Sequence, residues 1–274
     1  MISADSYAIE VGASDGSAVI NIVNTGSMTG TNAIFADGGT SHMDISNTGS
    51  LISNFNTIDI NIHAGSSRIY NSGTIQSNAN NGIAILAGSG ADTVINAGTI
   101  IGDVRLLEAN DTYNGTAGYV SGDVDGGTGN DTLLGGSFAD EFYGGTDDDV
   151  LVGRGGDDIL YGENGVDDVS GGGGDDFIYG GAGEDYLRGG GGDDALDGGV
   201  DSDVMQGHRG EDILYGGSDD DELYGGAHFD DLFGGRGDDI LDGFHGSDTL
   251  NGGTSDDILY GGGGHDALAW WHRR

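Results

Sequence analysis

This chain of 274 residues has no cysteine, no proline and no lysine, and its only basic side chains besides seven histidines are eight arginines against 47 aspartates and glutamates. The absence of cysteine leaves the redox compartment open, and an exported form would have to rely on metal and not on disulfides for staples. The absence of lysine removes the residue that a phosphate-binding loop needs, so the many glycine-rich strings carry no nucleotide-site reading. The formal net charge of −39 argues against nucleic acid and against anionic membrane surfaces as partners, since both are polyanions. No stretch is long and apolar enough to cross a membrane as a helix. The opening residues Met1-Ile2-Ser3-Ala4-Asp5 lack a basic start and an apolar core, so no secretory leader is expected.

What the chain has in excess is glycine, 59 residues, and most of it is periodic. From Gly126 to Ala269 a nine-residue unit repeats sixteen times without insertion or deletion, as in Gly171-Gly172-Gly173-Gly174-Asp175-Asp176-Phe177-Ile178-Tyr179. The first position is always Gly, the sixth always Asp and the eighth always a large apolar residue. Glycines at positions one, two and four are expected to free the backbone for positive φ, turning carbonyls toward the point where the sixth-position carboxylate arrives. Three residues then suffice for a short extended stretch with the eighth side chain on one face. Two units make a coil of eighteen residues. Stacked coils pair their strands in parallel, bury the stripe Leu133, Phe142, Leu151, Leu160, Val169, Ile178 and its continuation, and stack the Asp-bearing turns along two edges.

Residues 126–269 hold 35 acidic residues against four arginines, a net charge of −31, so such columns of carboxylates require cations between the turns. Carboxylates and backbone carbonyls at flexible geometry are hard oxygen ligands, which suit Ca²⁺ better than Mg²⁺ or a thiophilic metal.

These units resemble the Gly-Gly-x-Gly-x-Asp-x-U-x nonapeptides of the RTX, or haemolysin-type calcium-binding, family. The resemblance implies a parallel β-roll with calcium between successive turns of one edge. The implied ligands are the side chains of Asp131, Asp140, Asp149, Asp158, Asp167, Asp176, Asp185, Asp194, Asp203, Asp212, Asp221, Asp230, Asp239, Asp248, Asp257 and Asp266. To these it adds carbonyls of the second and fourth positions, such as Gly172 and Gly174, Gly181 and Gly183, Gly190 and Gly192, and Gly235 and Gly237. If every gap fills, about 14 ions bind. It also implies export by type I secretion, which reads a segment after the repeats. Here only Trp270-Trp271-His272-Arg273-Arg274 follow, a short tail that suggests a fragment of a longer protein.

Some units depart from the pattern. Position two is Arg154, Glu163, His208 or Phe244 in four units, and position four is Phe138, Asp147, Asp201, Asp219, His228 or Ser255 in six. Asp tolerates left-handed backbone at modest cost, whereas Phe138 and His228 tolerate it poorly, so sites beside them are expected to be weak or empty.

Residues 1–125 carry a looser repeat, marked by Asn24-Thr25-Gly26, Asn47-Thr48-Gly49, Asn71-Ser72-Gly73 and Asn96-Ala97-Gly98 at spacings of 23, 24 and 25. Apolar residues two before each Asn (Ile22, Ile45, Ile69, Val94) and four after it (Met28, Leu51, Ile75, Ile100) recur in phase, as inward strands around a turn require. Asparagines stacked at the turn are able to hydrogen-bond up the column. This part resembles the right-handed parallel β-helix of bacterial adhesin and autotransporter passenger repeats. Asp92-Thr93-Val94, Asp111-Thr112-Tyr113 and Asp131-Thr132-Leu133 share a local pattern at spacings of 19 and 20, so the fold class expected is all-β, a parallel β-helix continuing into a calcium-binding β-roll.

No catalytic function is expected. No His-Glu-x-x-His string is present for a zinc protease. The histidines at 42, 63, 208, 228, 245, 265 and 272 are scattered and suit surface or turn roles. A polyuronate epimerase site wants cations to neutralise sugar carboxylates, and the first part offers only Arg68 and Arg105. One surface stripe stands out: ninth positions of alternate units read Tyr143, Tyr161, Tyr179, Asp197, Tyr215 and Phe233, beside Ile159, Phe177 and Ile213 at seventh positions. Tyr and Ile suit strands on their own account, and the stripe is also a candidate contact face for a glycan, a cell surface or a second copy. The reading is therefore an extracellular calcium-binding structural or adhesive module that folds where calcium is abundant. The alternative is the non-catalytic calcium domain of a secreted RTX protease, lipase or epimerase.

Overall fold

The computed structural model describes residues 9–12, 19–37, 42–61, 65–79 and 82–271. Among them every regular element is a β-strand, and the strand pairs are parallel. Alternating burial along most strands, with apolar side chains at the inward positions, is the local reason why the sequence forms strands here. The chain divides into two compact units, one of residues 1–136 with 141–143 and the other of 137–140 with 144–274, so the division falls about one nonapeptide inside the array.

The first unit is a solenoid with three walls. One is built from strands Ile9–Gly12, Ile34–Asp37, Ile58–Asn61, Ile83–Leu86, Asp103–Glu108 and Val124–Thr128. The second has Val19–Asn24, His42–Asn47, Ser67–Asn71, Thr93–Asn96, Thr112–Asn114 and Thr132–Leu134. The third has Ser27–Gly30, Ser50–Ser53, Thr74–Ser77, Thr99–Ile101 and Tyr119–Val120.

The in-phase apolar residues are direct Cα partners, Ile22 with Ile45, Ile69, Val94, Tyr113 and Leu133 in succession, and Met28 with Leu51, Ile75, Ile100 and Val120. All but Met28, which is half-buried, are buried. Buried asparagines form a ladder at the turn between the second and third walls: Nδ2 of Asn24 donates to Oδ1 of Asn47 (2.7 Å), Asn47 to Asn71 (2.8 Å) and Asn71 to Asn96 (2.9 Å). Asn96 ends it by donating to the carbonyl of Tyr119 (3.0 Å), and the third wall stops at Val120, where the coils have shortened.

The second unit has two walls and coils of eighteen residues. Strands Ile159–Asn164, Phe177–Ala182, Ala195–Val200, Ile213–Ser218, Asp231–Arg236, Thr249–Thr254 and Ala267–Trp271 form one wall. Val150–Val152, Asp168–Gly173, Tyr186–Gly191, Val204–Arg209, Glu222–Ala227, Ile240–His245 and Ile258–Tyr260 form the other. The eighth-position side chains from Leu151 to Leu250 are buried, whereas Leu268 in the last coil is 41 % exposed.

Most strands here are six residues long, twice the length expected, because pairing continues through the first three positions of the next unit, as in Gly172 with Gly190 and Gly173 with Gly191. Glycine-rich stretches thus take part in the ladder, with the backbone groups of each coil satisfied by the next. Trp271 pairs with Thr254, two residues beyond the array. His63 and residues 272–274 lie outside the described part.

Candidate metal centre

The sixth-position aspartates are brought together in two ladders, one on each edge of the second unit. Oδ1 of each accepts the backbone N–H of the sixth-position Asp one coil earlier. Asp140 donates to Asp158, Asp158 to Asp176 and Asp176 to Asp194 at 2.8, 2.8 and 2.9 Å, and so on to Asp266. On the other edge Asp149 donates to Asp167 and Asp167 to Asp185, both at 2.8 Å, and so on to Asp257. In the first unit Asp92, Asp111 and Asp131 continue the same exchange.

From Asp149 to Asp248 these side chains are buried, Asp158 and Asp239 completely and Asp176 to 1 % exposure, whereas Asp140, Asp257 and Asp266 at the ends are partly exposed. Their second oxygen is the notable atom. Oδ2 of every sixth-position Asp from Asp158 to Asp257 is shielded from solvent and accepts no hydrogen bond. It lies over the first residue of its own unit, where a Cβ at Gly171 would overlap Oδ2 of Asp176, and the same holds at Gly180 with Asp185 and Gly189 with Asp194.

This corrects one expectation. The first-position glycines do not take positive φ; only those at positions two and four do, as in Gly172 (114°) and Gly174 (128°), Gly181 and Gly183, Gly190 and Gly192, and Gly235 and Gly237. Position one is glycine because a carboxylate oxygen occupies the place of its side chain. The substitutes at positions two and four follow the turn, with Arg154 at 80°, His208 at 76° and His228 at 92°, whereas Phe138 stays outside the left-handed region. Left-handed backbone at such residues costs on the order of 1 kcal/mol each.

A carboxylate denied water and a second donor resists ionisation. Burial pushes Asp158 and Asp185 up to about 7, Asp194 and Asp203 to about 8, and Asp167 and Asp176 to about 6, partly offset by the backbone hydrogen bond to Oδ1. Each turn thus offers a partly satisfied carboxylate that a cation would complete. Carbonyl oxygens add to the donor set, since those of the second and fourth positions are stacked coil on coil: those of Arg154 and Gly156 lie where Cβ atoms of Gly172 and Gly174 would be. No three His, Asp or Glu side chains converge on a point among the described residues, so a cation here would draw on carboxylates from neighbouring turns and on carbonyls. That is an all-oxygen set of the kind hard cations take.

A second ladder went unnoticed in the sequence. Fifth-position side chains run the opposite exchange, Oδ1 of Asp157 accepting from Asp175 N–H (3.1 Å), Asp175 from Asp193 (2.9 Å) and Asp193 from Glu211 (2.8 Å), with Asp220, Asp238 and Asp256 doing the same on the other edge. These carboxylates are exposed and form an outer acidic row beside the buried one. The signal was the recurrence of Asp or Glu at position five in nine of the sixteen units.

The aromatic stripe is aligned in register, Tyr161 with Tyr179, Asp197, Tyr215 and Phe233. Tyr161 stacks on Tyr179 and Tyr215 on Phe233, each at 5.0 Å between centroids and within 13° of parallel. Arg105 is engaged by Asp103, Asp123 and Asp125. His208, His228, His245 and His265 sit in or beside turns of one edge.

No curated protein sequence matches the chain. The family model for the RTX calcium-binding nonapeptide repeat, in four copies, matches residues 125–160, 161–196, 170–205, 197–227, 224–257 and 242–269, which together cover more than half of the 274 residues. With a buried, half-satisfied carboxylate in turn after turn of a parallel β-roll, this match is decisive: the chain belongs to the RTX calcium-binding nonapeptide repeat family.

Proposed function

We propose that this chain is a secreted, non-catalytic structural and adhesive module whose array folds on binding calcium outside the cell. The observation that carries the reading is the orphaned Oδ2 repeated from Asp158 to Asp257. A polar atom buried without a partner costs about 1–3 kcal/mol, more when charged, and no folded domain sustains a dozen such costs unaided. The sixth-position aspartates Asp131 to Asp266 are the proposed ligands, with carbonyls of the second and fourth positions beside them. Calcium, when bound, supplies the positive charge that lets these carboxylates stay ionised in a dry site. The chain's own groups do the rest: Oδ1 fixes each carboxylate to the preceding coil, and the first-position glycine leaves room for Oδ2. In calcium-poor cytoplasm the acidic array lacks the apolar content to offset its chain entropy. A ligand that binds only the folded form stabilises it by ~2.7 kcal/mol per site at a hundred times its dissociation constant, so even partial filling tips the balance.

Far-ultraviolet circular dichroism during a calcium titration tests this, with magnesium at equal ionic strength as control. The expected result is a cooperative gain of β signal with calcium alone. A spectrum already folded in chelator and indifferent to calcium would overturn the reading.

The adhesive part rests on the stacked rings of Tyr161–Tyr179 and Tyr215–Phe233, which present aromatic surface on an otherwise acidic module; Tyr179 and Tyr215 are 39 % and 46 % exposed. Tyr161→Ser with Tyr179→Ser is expected to keep the calcium response and to lower retention on immobilised glycans or on the parent chain. Retention equal to the parent on every surface that the parent binds would remove this part.

A further inference from the structure

A turn with the positive φ values and the two ladder exchanges of the array lies in the first unit, upstream of the matched repeats and without one glycine; it differs at position one, where the buried Leu106 stands in place of the glycine that leaves room for Oδ2 in the array. Residues Leu106-Leu107-Glu108-Ala109-Asn110-Asp111 are followed by Thr112 and the buried Tyr113, the places of positions seven and eight. Leu107 and Ala109, in the places of positions two and four, take φ of 86° and 83°. Their carbonyl oxygens lie where Cβ atoms of Gly127 and Gly129 would be, as those of Arg154 and Gly156 do under Gly172 and Gly174. Oδ1 of Asn110 accepts from Asn130 N–H (3.2 Å), the fifth-position exchange, and Asp111 N–H donates to Oδ1 of Asp131 (2.7 Å), the sixth-position exchange.

The side chain of Asp111 points to a ligand independently of that turn geometry. It is 2 % exposed, its Oδ1 accepts from Asp92 N–H (2.6 Å), and its Oδ2 is sealed from solvent with no donor. One coil earlier the situation differs: both oxygens of Asp92 are satisfied, Oδ1 by the N–H of Ser67 and Oδ2 by the N–H of Gly88 at 2.9 Å. The column of half-satisfied carboxylates therefore begins at Asp111, with Asp92 as its closed end.

We infer that the turn Leu106–Asp111 and the turn Gly126–Asp131 together bind a calcium ion, so that the cation column starts one coil before the nonapeptide array. Oδ2 of Asp111 and the carbonyls of Leu107 and Ala109 are the oxygen donors that the earlier turn contributes, a hard set suited to calcium over a softer metal. Leu107 and Ala109 hold the left-handed backbone without glycine, as Arg154 and His208 do in the array. The inference rests on the calcium-binding reading of the array.

Hydrogen exchange of the full chain, read by mass spectrometry in calcium, magnesium and chelator, tests it through two segments, 103–115 and 159–270. In the parent both are expected to slow at least ~tenfold with calcium only, a difference of about 1.4 kcal/mol. Asp111→Asn keeps an Oδ1 acceptor for Asp92 N–H and is expected to remove the calcium dependence of 103–115 while that of 159–270 remains. Asp92→Asn is expected to leave the calcium dependence of both segments. If 103–115 exchanges alike in calcium and chelator while 159–270 responds, the inference fails and the array reading stands; if neither responds, the array reading fails with it. Should Asp111→Asn not fold, that comparison within the parent decides. An Asp111→Asn chain in which 103–115 responds as in the parent also overturns the inference.

Discussion

Replacing Asp176 and Asp194 together by alanine is expected to raise the calcium midpoint of folding by at least ~tenfold, about 1.4 kcal/mol, and to split the transition into two phases. The two residues are neighbours in one ladder. Their loss leaves the N–H groups of Asp158 and Asp176 without acceptors and removes two of the orphaned oxygens from consecutive turns. Coils in a solenoid are stabilised through their neighbours, so a gap in the middle uncouples the two sides. In chelator the sign reverses. There the carboxylates are a buried cost, and the double variant is expected to be no less folded than the parent. Replacing Asp175 and Asp193, exposed members of the fifth-position ladder, removes the acceptors of the Asp193 and Glu211 N–H groups, two surface hydrogen bonds, and is expected to shift the midpoint several-fold less. Circular dichroism titrations, with bound calcium measured after dialysis, check all three outcomes. A double variant that titrates like the parent would mean that these aspartates are not ligands.

The second large effect is a pH dependence of opposite sign with and without calcium. Free of calcium, Asp158, Asp167, Asp176, Asp185, Asp194 and Asp203 sit in the fold at about 6 to about 8, above the roughly 3.9 of an unfolded aspartate, with burial as the main cause. Groups raised in this way contribute stability that is fully present below pH ~4 and is lost as pH rises through 6 to 8, because the folded chain then holds protons that the unfolded chain has released. In chelator, lowering the pH from 8 to 5 should therefore increase β structure. With calcium at fixed free concentration the ionised form is the one that binds, so the same change should weaken binding and reduce β structure. Dichroism at pH 5, 6.5 and 8 in both conditions measures this. A trend of one sign in both would show that the buried carboxylates and the cation do not compete for the same oxygens.

Much of this was legible in the chain because the packing is strictly repetitive. Ile22, Ile45, Ile69 and Val94 became direct partners because only inward positions forbid polar residues, and the Asn24–Asn96 ladder needed only a constant place at the turn. The parallel roll, the eighth-position stripe and the stacked sixth-position aspartates followed from a nine-residue phase. What escaped had physical reasons too. A sequence shows that a side chain is forbidden at Gly171 but not whether a dihedral or the neighbouring Oδ2 of Asp176 forbids it. The fifth-position exchange was hidden because Val166 and Phe229 also occupy that place: the N–H that donates belongs to any residue, and only the acceptor must be polar. The turn at 106–111 was visible only as Asp111-Thr112-Tyr113, since Leu107 and Ala109 hold positive φ without the glycines that announce it elsewhere.

Within the array the ladder partners of the second unit lie eighteen residues apart, two nonapeptides, with the register shifting only at the last pair, Thr254 and Trp271, and the two faces of a coil are not alike. Length in this part of the protein is therefore quantised. Loss or duplication of eighteen residues removes or adds one whole coil and leaves every later side chain on its own face. Loss of nine moves all that follows to the opposite wall: Tyr215 and Phe233 would leave the line begun by Tyr161 and Tyr179 and fall in with Ser170 and Arg188. Recombination within such a repetitive gene is thus neutral for surface pattern in one step size and disruptive in the other, and the heritable unit of change is the pair of repeats.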